Sequence, residues 1–221
     1  MMPIRTSPRL TRAAILVTWI TLLAGCGQII PLAAPVKSLY NLTPKSTFRP
    51  GLPEVPWQLV IEQPVAAGGL DTDRIALRPS PTELKYFVQA RWTERAPKMI
   101  QTLLVESFEN TEKIVAVGRQ AIGLRSDFNL KTELREFYAE YFIKEHTPQI
   151  HVRLNAKIIS QPRQNIIASK SFESRKTAGG ETMQAVITSF DQALGKVLKE
   201  LVEWSLLKMN EEMRETKRDT P

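Results

Sequence analysis

Cysteine is the scarcest chemistry in this chain: there is one, Cys26, in 221 residues. A lone thiol closes no disulfide within the chain, so the fold must rest on packing alone. Histidine is nearly as scarce. His146 and His151 stand five residues apart across Pro148 and read as strand-edge surface residues. As a metal pair they lack a third ligand at an obvious spacing. No serine sits in a Gly-x-Ser-x-Gly elbow, and no glycine-rich loop has phosphate-binding form, so Gly68-Gly69 and Gly179-Gly180 read as turn glycines. Asp71 and Asp73, beside Arg74, have the makings of a small cation site, although capping a loop is the commoner use of such residues. The sequence thus predicts no catalytic residue, no metal ligand and no cofactor; the chain is not expected to be an enzyme.

What is present begins at the amino terminus. Arg5, Arg9 and Arg12 form a basic flank, and Ala13 to Leu23 an apolar run of eleven residues, too short for the ~20 that span a bilayer as a helix. The run ends in Leu23-Ala24-Gly25-Cys26. This layout is similar to that of bacterial lipoprotein precursors, which implies acylation of the Cys26 thiol, cleavage between Gly25 and Cys26, and a mature chain that begins at Cys26. Covalent acyl chains on Cys26 would then be the only attached group. A buried core cysteine and an uncleaved anchor are the competing readings. Gly27 and Gln28 carry no Asp of the kind that typically retains lipoproteins at the inner membrane, which points to the periplasmic face of the outer membrane.

Removal of the three signal arginines from the 30 basic residues leaves 27 against 23 acidic ones, a net charge of +4 rather than +7. The remaining basic residues are interleaved with acids, as in Lys131, Glu133, Arg135 and Glu136, which reads as solvated surface and excludes a phosphate-tracking stripe for nucleic acid. Residues 26–56 hold six prolines, Pro31, Pro35, Pro44, Pro50, Pro53 and Pro56, and read as a lipidated, Pro-rich tether. Within it Ser38 to Leu42 has the pattern of a short edge strand.

The domain proper is expected over residues 57–207. Alternation predicts strands at Trp57 to Glu62, Arg74 to Arg78, Leu84 to Ala90, Lys113 to Val117, Ile150 to Ile159 and Ile166 to Phe172. A longer strand runs from Phe128 to about Ile143. Its apolar set lies on even positions (Phe128, Leu130, Leu134) and then on odd ones (Phe137, Ala139, Tyr141), which predicts a β-bulge near Arg135-Glu136. Helices are expected at about Pro97 to Glu109 and about Glu181 to Leu207, the second with an apolar stripe from Met183 through Phe190 and Leu201 to Trp204. The tail 208–221 is charged and reads as disordered. Strands, then helices, with hairpins between, predict an α+β sandwich: an antiparallel sheet covered by two helices.

A lipobox, Tyr40 and Leu42, Gly69 and Leu70 before Arg74 and Ile75, a strand ending in Trp92, a helix containing Pro97, Met99 and Leu103, and a last helix from Phe190 to Trp204 follow one another in order. Together they resemble the PqiC-like family of auxiliary lipoproteins of ABC-type transport systems. The family often has paired prolines after the tryptophan, where this chain has Ala96-Pro97. The resemblance implies a non-enzymatic accessory subunit that works with an MCE-domain protein and its permease and ATPase to move lipids or other hydrophobic molecules between membranes; a homo-oligomer is compatible with it. A regulator of a cell-wall synthase or another envelope-assembly machine is the alternative, and a carrier enclosing a lipid between sheet and helices a third. On a helical wheel Leu206 falls about 140° from Leu201, so Leu206 and Val202 are expected to offer an exposed apolar spot to a partner.

Overall fold

The computed structural model describes residues 37–119, 126–141, 147–161 and 163–218. Cys26, the signal segment and His146 lie outside them. Strands β1 (Ser38–Tyr40), β2 (Val55–Ile61), β3 (Val65–Ala66), β4 (Arg74–Ser80) and β5 (Glu83–Trp92) precede helix α1 (Ala96–Glu109). Strands β6 (Ile114–Arg119), β7 (Phe128–Glu140), β8 (Gln149–Ser160) and β9 (Asn165–Thr177) precede helix α2 (Met183–Arg218).

Strand β7 organises the sheet. One edge pairs antiparallel with β8, which pairs antiparallel with β9. The other edge is shared in succession by three shorter strands, all parallel to β7: β2 at Leu59 to Ile61, β3 at Val65 to Ala66 and β4 at Ala76 to Arg78. Beyond them β6 pairs with β2 and β1 with β5, both parallel, while β4 and β5 form the remaining antiparallel pair. The expectation of an antiparallel sheet is therefore corrected to a mixed one, mostly antiparallel by paired length. Helix α1 is the physical reason: as a crossover it returns the chain to the end from which β2 and β4 start, and parallel pairs need such a return.

The bulge is where the phase change places it, with the β7–β8 register shifting between Leu134 and Glu136. Phe128, Leu130 and Leu134 before it, and Phe137 and Ala139 after it, are all buried. Trp92, Phe137 and Phe190 fill the space between sheet and α2, with ring centroids 5.1 to 5.4 Å apart. Pro97 stands in the first turn of α1, where its missing N–H costs nothing. Thr182 caps α2: its Oγ1 accepts from the Ala185 N–H at 3.3 Å, and its carbonyl accepts from Val186.

Three expectations about the ends of the domain are corrected. Residues 37–56 were grouped with the tether on their prolines, but this stretch is packed. It contributes β1, Leu42 (2 % exposed) and Leu52 (7 %) to the core. Its backbone is strapped across both helices: Thr43 N–H donates to Asp191 of α2 at 2.7 Å, Lys45 N–H to Ser107 of α1 at 2.9 Å, and Arg49 N–H to Glu203 of α2 at 2.8 Å. Extended, proline-rich chain suits a strap as well as a tether, because its amides are free to bond side chains.

At the other end, the charged segment from Lys208 is not a disordered tail over the described residues. Helix α2 continues to Arg218, with Met209 fully buried and Met213 packed on the core. Val202 and Leu206 are both 0 % exposed, so they form no exposed spot. The wheel misplaces Leu206 because the buried stripe is not straight. Ile187, Phe190, Leu194, Leu198, Leu201, Ser205 and Met209, all buried, are spaced at threes and fours that repeat every eleven residues. Such a stripe drifts about 20° per repeat around a 3.6-residue helix. The strap, bonded at Asp191 and Glu203, covers the side toward which it drifts.

Candidate functional site

The bulge at Arg135 turns Glu136, Tyr138 and Glu140 to the face of the sheet opposite the aromatic core. There the ladder sets Glu136 opposite Arg153 and Tyr138 opposite His151, and β9 adds Arg175 opposite His151 and Glu173 opposite Arg153. Arg78 arrives from β4, opposite Glu140. Eight ionisable residues from four strands thus meet on one patch, each placed by the period-2 alternation of its strand.

The patch is closed by its own contacts. His151 Nδ1 lies 3.1 Å from Glu140 Oε1 and Nε2 lies 2.8 Å from Glu173 Oε1. Arg175 bonds Glu140 at 2.9 Å and Glu173 at 3.1 Å. Arg153 pairs with Glu136, which also accepts the Tyr138 hydroxyl, and Arg78 donates to that hydroxyl. The Tyr138 ring stands edge-on to the His151 ring, their centroids 5.6 Å apart. Burial, helped by the hydrogen bond to Glu136, pushes the Tyr138 hydroxyl up to about 12, so it remains a donor at neutral pH. Burial also pushes the Glu173 carboxyl up, but the hydrogen bonds from His151 and Arg175 outweigh it and hold the group below its ordinary value.

This arrangement corrects the reading of His151 as a strand-edge surface residue. It sits on an interior strand, 4 % exposed, because the Arg175 and Glu173 side chains lie over it. Carboxylates only accept, so a ring with a carboxylate on each nitrogen is suited as a double donor and has no free lone pair for a metal or a substrate proton. Among the described residues no group of three His, Cys, Asp or Glu side chains could hold a metal ion.

Asp71 and Asp73 are drawn to separate partners, Arg95 and Arg91, the latter at 2.7 and 2.9 Å. They cap the ends of α1 and β5: the Thr72 carbonyl accepts from Ala96 and the Asp73 carbonyl from Trp92. Gly69 belongs to the same loop and has no room for a side chain, since a Cβ there would lie 2.6 Å from the end of Leu84. The hairpin register held a signal for the network. Counted back from the Gln161 to Asn165 turn, an unbroken hairpin puts Arg175 opposite His151 and Glu173 opposite Arg153, but the return strand was expected to end at Phe172.

Sheet, helices, strap and paired charges define the class: an α+β sandwich domain whose clustered ionisable groups are bonded to one another. The chain belongs to the ABC-type transport auxiliary lipoprotein component family, whose model matches residues 40–202. It is similar to protein XCC0632 from Xanthomonas campestris, with 34 % identity and a TM-score of 0.76 over 80 % of this chain and 99 % of that one. A second solved structure, of an uncharacterized protein, shares the fold at 13 % identity with a TM-score of 0.57 over 80 % of this chain and 99 % of its own. Uncharacterized protein bll6063 from Bradyrhizobium diazoefficiens is 25 % identical over 84 % of this chain. The chain spans 50 % of the length of that relative. Among the described residues no helix is long and apolar enough to cross a membrane.

Proposed function

We propose that this chain is a lipid-anchored, non-enzymatic accessory subunit of an MCE-type ABC transport system, held at the periplasmic face of the outer membrane, that helps to move lipids or other hydrophobic molecules across the envelope of a diderm bacterium. The observation that carries this reading is the extent of the family match: residues 40–202 run from β1 into α2, so the whole domain is matched rather than one motif. Cys26 stands upstream of that domain and supplies the anchor. Each acyl CH₂ moved into the bilayer contributes about 0.8 kcal/mol and one chain alone binds only marginally, so two or three chains on one residue suffice to tether the domain. Because the interior beneath α2 is filled by Trp92, Phe137 and Phe190, a cargo lipid has no place there, and the role is docking rather than carriage. Hydrolysis of ATP falls to a partner.

Affinity purification of the full chain from detergent-solubilised membranes tests the reading. The MCE-domain protein and its permease should be recovered with it; recovery of a cell-wall synthase in their place would transfer the chain to envelope assembly. Metabolic labelling with a fatty-acid analogue should mark the wild type and leave Cys26→Ser unlabelled. Equal label in both would remove the anchor.

A further inference from the structure

The lipid anchor raises the question of which surface of the domain meets the bilayer. The exposed large apolar side chains among the described residues are Leu39, Val65, Leu84, Val88, Val115 and Ile166. Leu39, Leu84 and Val88 belong to β1 and β5, which are paired at one end of the sheet. Val88 is 79 % exposed and Leu39 65 %. Val88 also lines an open pocket with Tyr40, Phe87 and Met183. Single exposed apolar residues need no explanation, but a group on one edge marks a contact with a partner or a membrane.

The path of the chain points to the membrane. Strand β1 runs parallel to β5 with Ser38 opposite Ala90, Leu39 opposite Arg91 and Tyr40 opposite Trp92. Followed backwards from Ser38, the backbone is therefore directed along β5 toward Val88 and Leu84. β1 covers only the last three residues of β5 and leaves Glu83 to Gln89 with an open edge. Between Cys26 and Lys37 the sequence is Gly27 to Val36, without one charged residue and with Ile29, Ile30, Leu32 and Val36. Fully extended, ten residues reach at most about 35 Å. The packing of residues 37–56 thus shortens the tether to a stretch that is both brief and apolar.

We propose that the β1–β5 edge, on the side of Leu84 and Val88, is the membrane-facing edge of the domain, and that Leu39, Leu84 and Val88 rest in the interfacial region of the bilayer that takes the acyl chains of Cys26. The inference rests on the lipid-anchor reading above. Covalent attachment brings a bilayer within reach of this edge, whereas no feature of it selects a protein strand. Val115 on β6 and Ile166 on β9 are comparably exposed on other edges and serve as references.

The test uses the full acylated protein in phosphatidylcholine vesicles with and without brominated lipid. Single thiols are introduced by Leu39→Cys, Val88→Cys, Val115→Cys or Ile166→Cys and carry an environment-sensitive fluorophore; the acylated Cys26 does not react. Probes at 39 and 88 should shift to shorter wavelength and be quenched roughly twofold or more beyond those at 115 and 166, as expected for groups about 5–10 Å into the headgroup boundary. Equal quenching at all four positions overturns the proposal. So does protection of positions 39 and 88 by added transporter protein with no effect of vesicles, which would assign the edge to a protein. The mass of the amino-terminal peptide is read from the same sample: an unacylated Cys26 overturns the anchor reading and this inference with it, while an acylated Cys26 with unquenched probes overturns this inference alone.

Discussion

His151 holds β7, β8 and β9 together by charge, and Glu173 makes that contact depend on pH. Its carboxyl is held below its ordinary value, so its stabilising effect is complete above the unfolded value of 4.5 and is lost as pH falls through the lowered folded value. A thermal-melt series from about pH 6 to about pH 3 should show the wild type losing stability more steeply than Glu173→Gln. The difference should shrink in high salt, because the pair is half exposed. A second residue-scale test concerns Leu206, now placed in the core. Leu206→Ala should cost about 2–5 kcal/mol in chemical denaturation. Leu206→Glu should prevent folding rather than merely weaken a partner contact, and a normal melt for Leu206→Glu would contradict its burial.

At the scale of elements, the bulge in β7 decides which chemistry faces which way. Arg135 is the extra residue, so its deletion restores plain alternation and keeps Leu134 and Phe137 inward and Glu136 and Tyr138 outward. Deletion of Lys131 instead would turn Glu133 and Arg135 inward and Thr132 and Leu134 outward. The first variant should retain a cooperative melt and the second should not; circular dichroism on purified protein distinguishes them. The phase change from Leu134 to Phe137 was legible because one sheet face is apolar throughout. The partners of Glu136, Tyr138 and Glu140 were not, since they come from β4, β8 and β9, and β4 lies some sixty residues away.

For the molecule as a whole, the strap joins the two helices and closes the core on the side away from the sheet. Leu42→Ala and Leu52→Ala should each cost about 2–5 kcal/mol and open residues 43–53 to limited proteolysis before the rest of the domain. Retained protection would show that the helices pack fully without it. Phe190→Ala should cost about 3–5 kcal/mol, because the ring touches Trp92 and Phe137 in the centre. Trp204→Ala should cost less: that ring is only partly buried, edge-on to Phe172. Equal losses in the two variants would argue against this ranking.

Local pattern alone determined the strands, both helix starts, the β8–β9 hairpin and the bulge, because each depends on periodicity or a turn within a few residues. It also marked Cys26, whose meaning lies in its immediate neighbours and not in the fold. Tertiary structure decided the parallel pairing of β7 with three strands, the burial of His151, the strap, and the inward place of Val202, Leu206 and Met209. Each of these depends on what a distant segment covers. Leu206 shows the difference most plainly: its wheel position is a property of the helix, but its burial follows from the drift of an eleven-residue stripe and from a strap that the chain lays down some 150 residues earlier.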